Sequence, residues 1–405
     1  MPEAVIVSAV RSPIGRAGKG SLKDIRPDDL AAQMVAAALA KIPELDPTEI
    51  DDLMMGCGQP GGQSGYNIAK VVATTLGYDF LPGVTVNRYC SSSLQTTRMA
   101  MHAIRAGEGD VFISAGVESV SSFATGTADG WPNTKNALYA DAQARTELAA
   151  QGGVAWQDPR EDGLTPDIYI SMGQTAENVA SLTGISREDQ DHWGVRSQNR
   201  AEEAINRGFF ANEITPVTLA DGTVVSTDDG PRAGTSYDKI SQLKPVFRPD
   251  GTVTAGNACP LNDGAAALVI MSDTKAKALG LTPLARVVAT AASGLSPEIM
   301  GLGPIEAVKK ALGYAKMTTS DIDLYEINEA FAVQVLGSAR ALDLDEDKIN
   351  VSGGAIALGH PFGMTGARIT NTLINNLREQ DKTFGVETMC VGGGQGMAMV
   401  LERLS

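Results

Sequence analysis

The chain has 405 residues, of which 43% are hydrophobic and 5% aromatic, with 44 glycines and a formal net charge of −15. At roughly 150 residues per domain, that length makes two or three domains with a sizeable interior and many tight turns. The acidic balance disfavours nucleic acid or an anionic membrane as partner, because phosphate contacts need a basic surface. No run approaches the roughly 18 apolar residues that span a bilayer, and "MPEAVIVSAV" lacks the basic segment of an export signal, so the expectation is no membrane insertion and a cytoplasmic location. Cys57, Cys90, Cys259 and Cys390 are too far apart for a disulfide framework or a paired-cysteine metal site, which leaves reduced thiols and no metal.

Along the chain, strand-length apolar runs alternate with amphipathic ones: "AVIVSAV", "DDLAAQMVAAALAKI", "DDLMMG", "NIAKVVATTLG", "VTVN", a helix after Cys90, and "DVFISAG". This βαβαβαβ order implies a mainly parallel sheet covered by helices on both faces. Within it, "NRYCSSSLQT" sets Cys90 between a strand and a helix. A small hydrophobe packs well there. A thiol at a helix start also feels the unpaired backbone N–H groups, which lower its pKa and favour the nucleophilic thiolate.

From about residue 123 to 251 the pattern changes. This stretch holds all three tryptophans, helix-like "TAENVASLTG" and "REDQDHWGVRSQNRAEEAINRG", and a hairpin-like "ITPVTLADGTVVST" with Asp-Gly at its turn. It reads as an insertion grown from a loop. Arg200, Arg207, Arg232, Lys239, Lys244 and Arg248 gather basic charge toward its end, as either a ligand patch or a solvated mixed surface.

The second half repeats the first half's order. "DIDLYEI" answers "EIDDLMMG", "AFAVQVLGSARALDL" answers "YNIAKVVATTLG", "INVSGG" answers "VTVNRY", and "ETMCVGGGQGMAMV" answers "DVFISAGVESV". The expected organisation is therefore an N-terminal half at 1–122, the insertion at 123–251, a return to the N-terminal half at 252–275, and a C-terminal half at 276–405. In that last part His360 stands in "GGAIALGHPFGMTGAR", with glycines on both sides, while His102 and His192 read as ordinary packed polar residues. Thirty residues after His360, Cys390 ends a strand in "CVGGGQG", which has neither phosphate-loop nor dinucleotide spacing.

Taken in order, "NRYCSSSLQ", "GTVTAGNACPLNDGAAA", "NEAFA", "GHPFGMTGAR" and "CVGGGQG" resemble the thiolases over essentially the whole length. The resemblance implies a duplicated α/β fold in α/β/α/β/α layers. It also implies CoA-dependent cleavage of a 3-ketoacyl-CoA, or the reverse condensation of acetyl-CoA, through an acyl-cysteine, with CoA a substrate and no further cofactor. On that basis Cys90 is the nucleophile, His360 its base and Cys390 the second proton carrier. His360 and a water on Asn328 form one oxyanion hole, and the N–H groups of Cys90 and Gly392 form another, glycine letting the backbone come close. The family pattern further points to Arg232, Ala255, Cys259, Met172 and Phe331 along the CoA path, and to a homodimer or homotetramer. Cys259 and Ser171 depart from the serine and histidine of biosynthetic members, so acyl-chain preference stays open. A ketosynthase-like condensing enzyme would pair its cysteine with two histidines, and a non-catalytic acyl-CoA-binding relative would have lost one of the reactive residues.

Overall fold

The computed structural model describes residues 1–405. Its first half runs β1 (Ala4–Arg11), α1 (Pro27–Ala40), β2 (Asp52–Gly56), α2 (Ile68–Thr75), β3 (Gly83–Val86), α3 (Ser92–Ala106) and β4 (Val111–Ser119). The chain then leaves the sheet through α4 (Ala140–Ala149), α5 (Met172–Thr183) and α6 (Arg187–Asn206), and returns as β5 (Asn262–Ser272). The second half follows with β6 (Ala285–Gly294), α7 (Gly303–Ala315), β7 (Leu324–Ile327), α8 (Ala332–Ala341), α9 (Thr365–Glu379), β8 (Phe384–Val391) and β9 (Gln395–Arg403).

These strands lie in the order β7-β8-β9-β6-β1-β5-β4-β2-β3. Two similar sheets meet at a narrow seam, where β1 and β6 share only the pairs Val5 with Arg286 and Ile6 with Ala285. The duplication is visible in the ladders. In each half an outer strand runs parallel to its neighbour (β2 with β4, β7 with β8), and the next two pairings are antiparallel.

Two expectations need correction. The sheet is not mainly parallel: only β2 with β3, β2 with β4 and β7 with β8 are parallel. The reason is that β8 turns directly into β9 through Gly393 and Gly394, both at positive φ, with no crossover helix. The stretch "INVSGG" is also not a strand like "VTVN", since it makes a single bridge, Ile349 to Tyr325. Asn350, at φ +49°, takes over with its side chain. Its Oδ1 accepts from the Ile327 N–H and its Nδ2 donates to the Ile327 carbonyl, both at 2.8 Å.

Strand periodicity separates three apolar layers. On β5, Leu268 and Ile270 face the middle while Val269 and Met271 face α1 and α2. The middle layer holds α3 and α9 side by side between the sheets, with Leu94, Met101, Ile369 and Leu373 buried against both; each such side chain contributes roughly 1.5–3 kcal/mol. The two helices touch through backbone. A Cβ on Gly366 would lie 2.2 Å from the Leu94 nitrogen, and the Ala367 N–H donates to Ser93 Oγ at 2.9 Å. This contact brings the start of α3, with Cys90, against the start of α9, with His360.

The basic residues of residues 123–251 do not form one patch. Arg200 donates to the Ile349 carbonyl, Arg207 pairs with Glu379, and buried Arg248 donates to Gln174 and Asn178. They fasten that segment to itself and to the second half.

Candidate active site

Cys90 lies in the short turn Tyr89–Ser91 that feeds α3, and only 8% of it is exposed. Tyr89 holds φ +42°, a left-handed conformation that costs a non-glycine residue about 1–2 kcal/mol. Side chains hold this turn: Asn87 Oδ1 accepts from the Tyr89 N–H at 2.8 Å, and Ser92 Oγ accepts from the Arg88 N–H and donates to the Tyr89 carbonyl. The serines therefore clasp the turn and α9, and no side chain caps the first turn of α3. The Ser92 N–H bonds the Tyr89 carbonyl, so the N–H groups that reach the sulfur are those of Cys90 itself and Gly392.

That cavity measures about 320 Å³ and is lined by Cys90, Gly392, Met172, Gln59, Tyr169 and Phe362, among others. The thiol behaves differently from the sequence expectation. Burial pushes the Cys90 pKa up to about 11, and the Glu118 carboxylate pushes the same way. The backbone N–H groups of Gly392 and Cys90 oppose this as donors to sulfur, without overcoming burial. At neutral pH Cys90 is a neutral thiol.

His360 is 1% exposed and its orientation is fixed at both ring nitrogens. Thr365 Oγ1 donates to the Pro361 carbonyl at 2.7 Å, so at 2.7 Å from Nδ1 it accepts the ring proton there. This leaves Nε2 with its lone pair, 3.3 Å from Asn328 Nδ2. The His360 backbone N–H donates to Asn262 Oδ1 at 3.0 Å. Burial, with Arg368 near by, lowers the His360 pKa to about 3, so the imidazole is neutral. Its ring meets Phe362 edge-on at 5.2 Å, and Phe362 lines the cavity of Cys90. Cys390 on β8 is fully buried, and burial with Cys90 and Cys259 close by holds its thiol well above the usual range.

The remaining expected residues divide. Arg232, Ala255 and Cys259 line a second cavity of about 160 Å³ together with Arg16. Two guanidinium groups there suit a ligand carrying phosphates. Met172 lines the Cys90 cavity, but Phe331 lines neither: it is buried, packs edge-on against Phe247 at 6.2 Å, and bridges Ala258 through its backbone. The steric reading of Gly392 also changes. A Cβ there would sit 3.4 Å from the Tyr89 ring and 3.8 Å from Met172 Sδ, an ordinary contact that only takes up cavity space. The glycine the turn requires is Gly394, at φ +81°, where a Cβ would lie 2.4 Å from the Leu295 carbonyl.

Sequence reasoning passed over Thr365 and Asn262, which set the imidazole, and Glu118. Thr365 falls within the "GHPFGMTGAR" stretch and Asn262 within "NACPLNDGAAA", so position in a motif was the available signal.

The buried carboxyls make the fold sensitive to alkali. Burial raises Glu118 to about 7 and Glu326 to about 8 from an ordinary 4.5, so the folded chain holds protons the unfolded chain has released. Stability then falls as pH rises through that range. His360, lowered from 6.5, and His102, also lowered, work the other way, but only below about pH 6.5. The melting temperature is expected to drop from pH 6.5 to pH 8 in scans at constant ionic strength, and a flat or rising trend would contradict the burial of these carboxyls.

Comparison with known proteins gives the family. The family models for the thiolase N-terminal and C-terminal domains match residues 4–274 and 281–403. The chain is 43% identical to a 3-ketoacyl-CoA thiolase of Bacillus subtilis, covering 99% of this chain and all of that one. It is 42% identical over the full length of both chains to a 3-oxoadipyl-CoA/3-oxo-5,6-dehydrosuberyl-CoA thiolase of Escherichia coli. Among solved structures, the Bacillus anthracis acetyl-CoA acetyltransferase superposes with a TM-score of 0.87 at 40% identity, covering 100% of this chain and 99% of that one. Human mitochondrial 3-ketoacyl-CoA thiolase in complex with CoA gives 0.85 at 35% identity, covering 100% and 98%. With both thiolase domain models matched over nearly its whole length, the chain belongs to the thiolase family.

Proposed function

We propose that the protein cleaves 3-ketoacyl-CoA with a second CoA, giving acetyl-CoA and an acyl-CoA two carbons shorter. The observation that carries this reading is a buried thiol whose sulfur receives the N–H groups of Cys90 and Gly392 at the wall of a cavity that also holds Phe362 of the His360 loop. Cys90 Sγ attacks the keto carbon while its proton passes to His360 Nε2. The tetrahedral oxyanion sits on the N–H groups of Cys90 and Gly392. The bond between the α-carbon and the keto carbon then breaks, leaving the acyl group on sulfur and the electron pair on an acetyl-CoA enolate held by His360 and a water on Asn328. Cys390 gives its proton to that carbon. In the second half CoA loses its thiol proton, which restores the protonation of the site, and its sulfur takes the acyl group from Cys90.

Arg16 and Arg232 are the groups suited to the CoA phosphates. A ketosynthase-like chemistry is disfavoured because His102 is exposed and His192 is a surface residue stacked on Tyr237 at 4.3 Å, so no second histidine accompanies His360. The reading includes a cytoplasmic homo-oligomer; β3, which closes the first-half sheet, has a partner strand on one side only. Incubation with a series of 3-ketoacyl-CoA substrates of increasing chain length should add the shortened acyl mass to a Cys90 peptide, and the best-cleaved member would define the acyl preference. No adduct on Cys90 with any member, or label on Cys390 alone, would remove the proposal.

A further inference from the structure

One carboxylate beside the cavity has no part in the steps above. Glu118, near the end of β4, is fully buried and has no cation within ion-pair reach. Its Oε2 accepts from the Gly58 N–H at 2.7 Å and the Gly363 N–H at 2.8 Å, and its Oε1 accepts from the Gln59 N–H at 3.0 Å. The Cys57 thiol lies 3.8 Å from Oε1. These donors belong to two loops far apart in sequence: one follows β2, and the other carries His360 and Phe362.

Both loops close tightly on the strand. A Cβ on Gly58 would lie 2.8 Å from Oε2, and one on Gly363 would lie 2.3 Å from the Val117 carbonyl. Each loop also reaches the catalytic turn or its cavity. The Gln59 side chain donates to Asp129 Oδ2 at 2.6 Å and accepts from the Asp129 N–H at 3.1 Å, while Tyr89, next to Cys90, donates its hydroxyl to the same Oδ2 at 3.3 Å. On the other side, Phe362 and His360 flank Pro361 just before Gly363.

We infer that Glu118 is a positioning residue for thiolysis: its carboxylate ties the Gly58–Gln59 loop to the His360 loop and so sets where the base stands relative to the Cys90 turn. The inference rests on the thiolase reading above. It stands on geometry, and the charge on Glu118 argues against the obvious alternative, activation of the thiol. That charge raises the Cys90 pKa and works against the thiolate. The other ionisable groups near the sulfur are Tyr89, Cys259 and Cys390, which burial pushes up, and His360, which burial pushes down, so none of them is charged at neutral pH.

The test is Glu118→Gln in the full-length enzyme, which keeps the shape but turns an NH₂ toward backbone donors. The turnover number for thiolysis should fall by about tenfold to a hundredfold, the range expected when a base is displaced by about 1 Å. The KM for CoA should stay within about twofold, since the Arg232 cavity is untouched. In the same variant the pH midpoint for iodoacetamide alkylation of Cys90 should move down, because the opposing charge is gone. A more acidic thiol combined with slower turnover is a split that general loosening of the structure would not produce. Wild-type turnover, or slower turnover with an unmoved or raised midpoint, overturns the inference. Should the glutamine variant not fold, Glu118→Asp decides: it keeps the charge but is too short for both loops, so turnover should fall with the midpoint unmoved, and wild-type turnover there overturns the inference equally. An acyl adduct on wild-type Cys90 separates these failures from a failure of the thiolase reading itself.

Discussion

Cys90→Ala is expected to abolish thiolysis, with a loss of at least about a thousandfold in kcat, while the protein stays folded and still binds CoA. The size of the loss follows from the division of labour in the site. On the proposed reading the sulfur holds the acyl fragment between the two half-reactions, and neighbouring groups are not placed to do so. Cys390 does not line the cavity of Cys90, and Cys259 lines the other one. The effect on folding should be small. Cys90 lies at a cavity wall, and replacing its sulfur by nothing removes one small group, about 1 kcal/mol or less. For a chain of this size that moves the melting temperature by no more than about 2–4 °C. Thiolysis assays beside thermal melts and CoA titration check this. Substantial turnover in the alanine variant would refute the nucleophile, and loss of CoA binding would mean that the turn itself had collapsed.

The parts of the site legible in the sequence were those whose chemistry is carried by residue type. A cysteine at a strand-to-helix junction, a histidine among glycines and a second cysteine before a glycine run each pointed to a role, and their order pointed to the family. What the sequence did not carry was environment. The helix start at Cys90 suggested a lowered pKa, but the folded chain buries the sulfur, and burial outweighs two N–H donors. Of the serines after Cys90, Ser92 closes the turn and Ser93 binds α9, a choice made by a helix more than 270 residues away in sequence. The parallel grammar of βαβ units was sound for β2, β3 and β4, but it could not tell that β8 doubles back through three glycines. Glu118 was invisible for a similar reason: its partners are backbone N–H groups, which have no residue signature.

His360→Asn is expected to lower kcat by about a thousandfold or more while leaving CoA affinity nearly unchanged. Asparagine keeps a polar side chain in a buried site but has no titratable nitrogen. Two contributions are then removed together. Loss of a positioned base is worth about 10²–10⁴, and loss of one donor to a developing enolate about 10²–10³. Groups acting on the same step are not additive, so the observed effect should lie near the larger of the two. The same geometry predicts where the loss appears. Nδ1 is committed to Thr365, so only Nε2, next to Asn328, is free to take the Cys90 proton, and without it the sulfur stays a thiol whose pKa is about 11. Formation of the acyl-cysteine should therefore be slowed in a single turnover, not only its transfer to CoA. Rapid-quench mass analysis of the Cys90 peptide reads this directly. If the variant acylates at the wild-type rate and stalls only at CoA, His360 is not the base for Cys90, and the first proton must leave by another path.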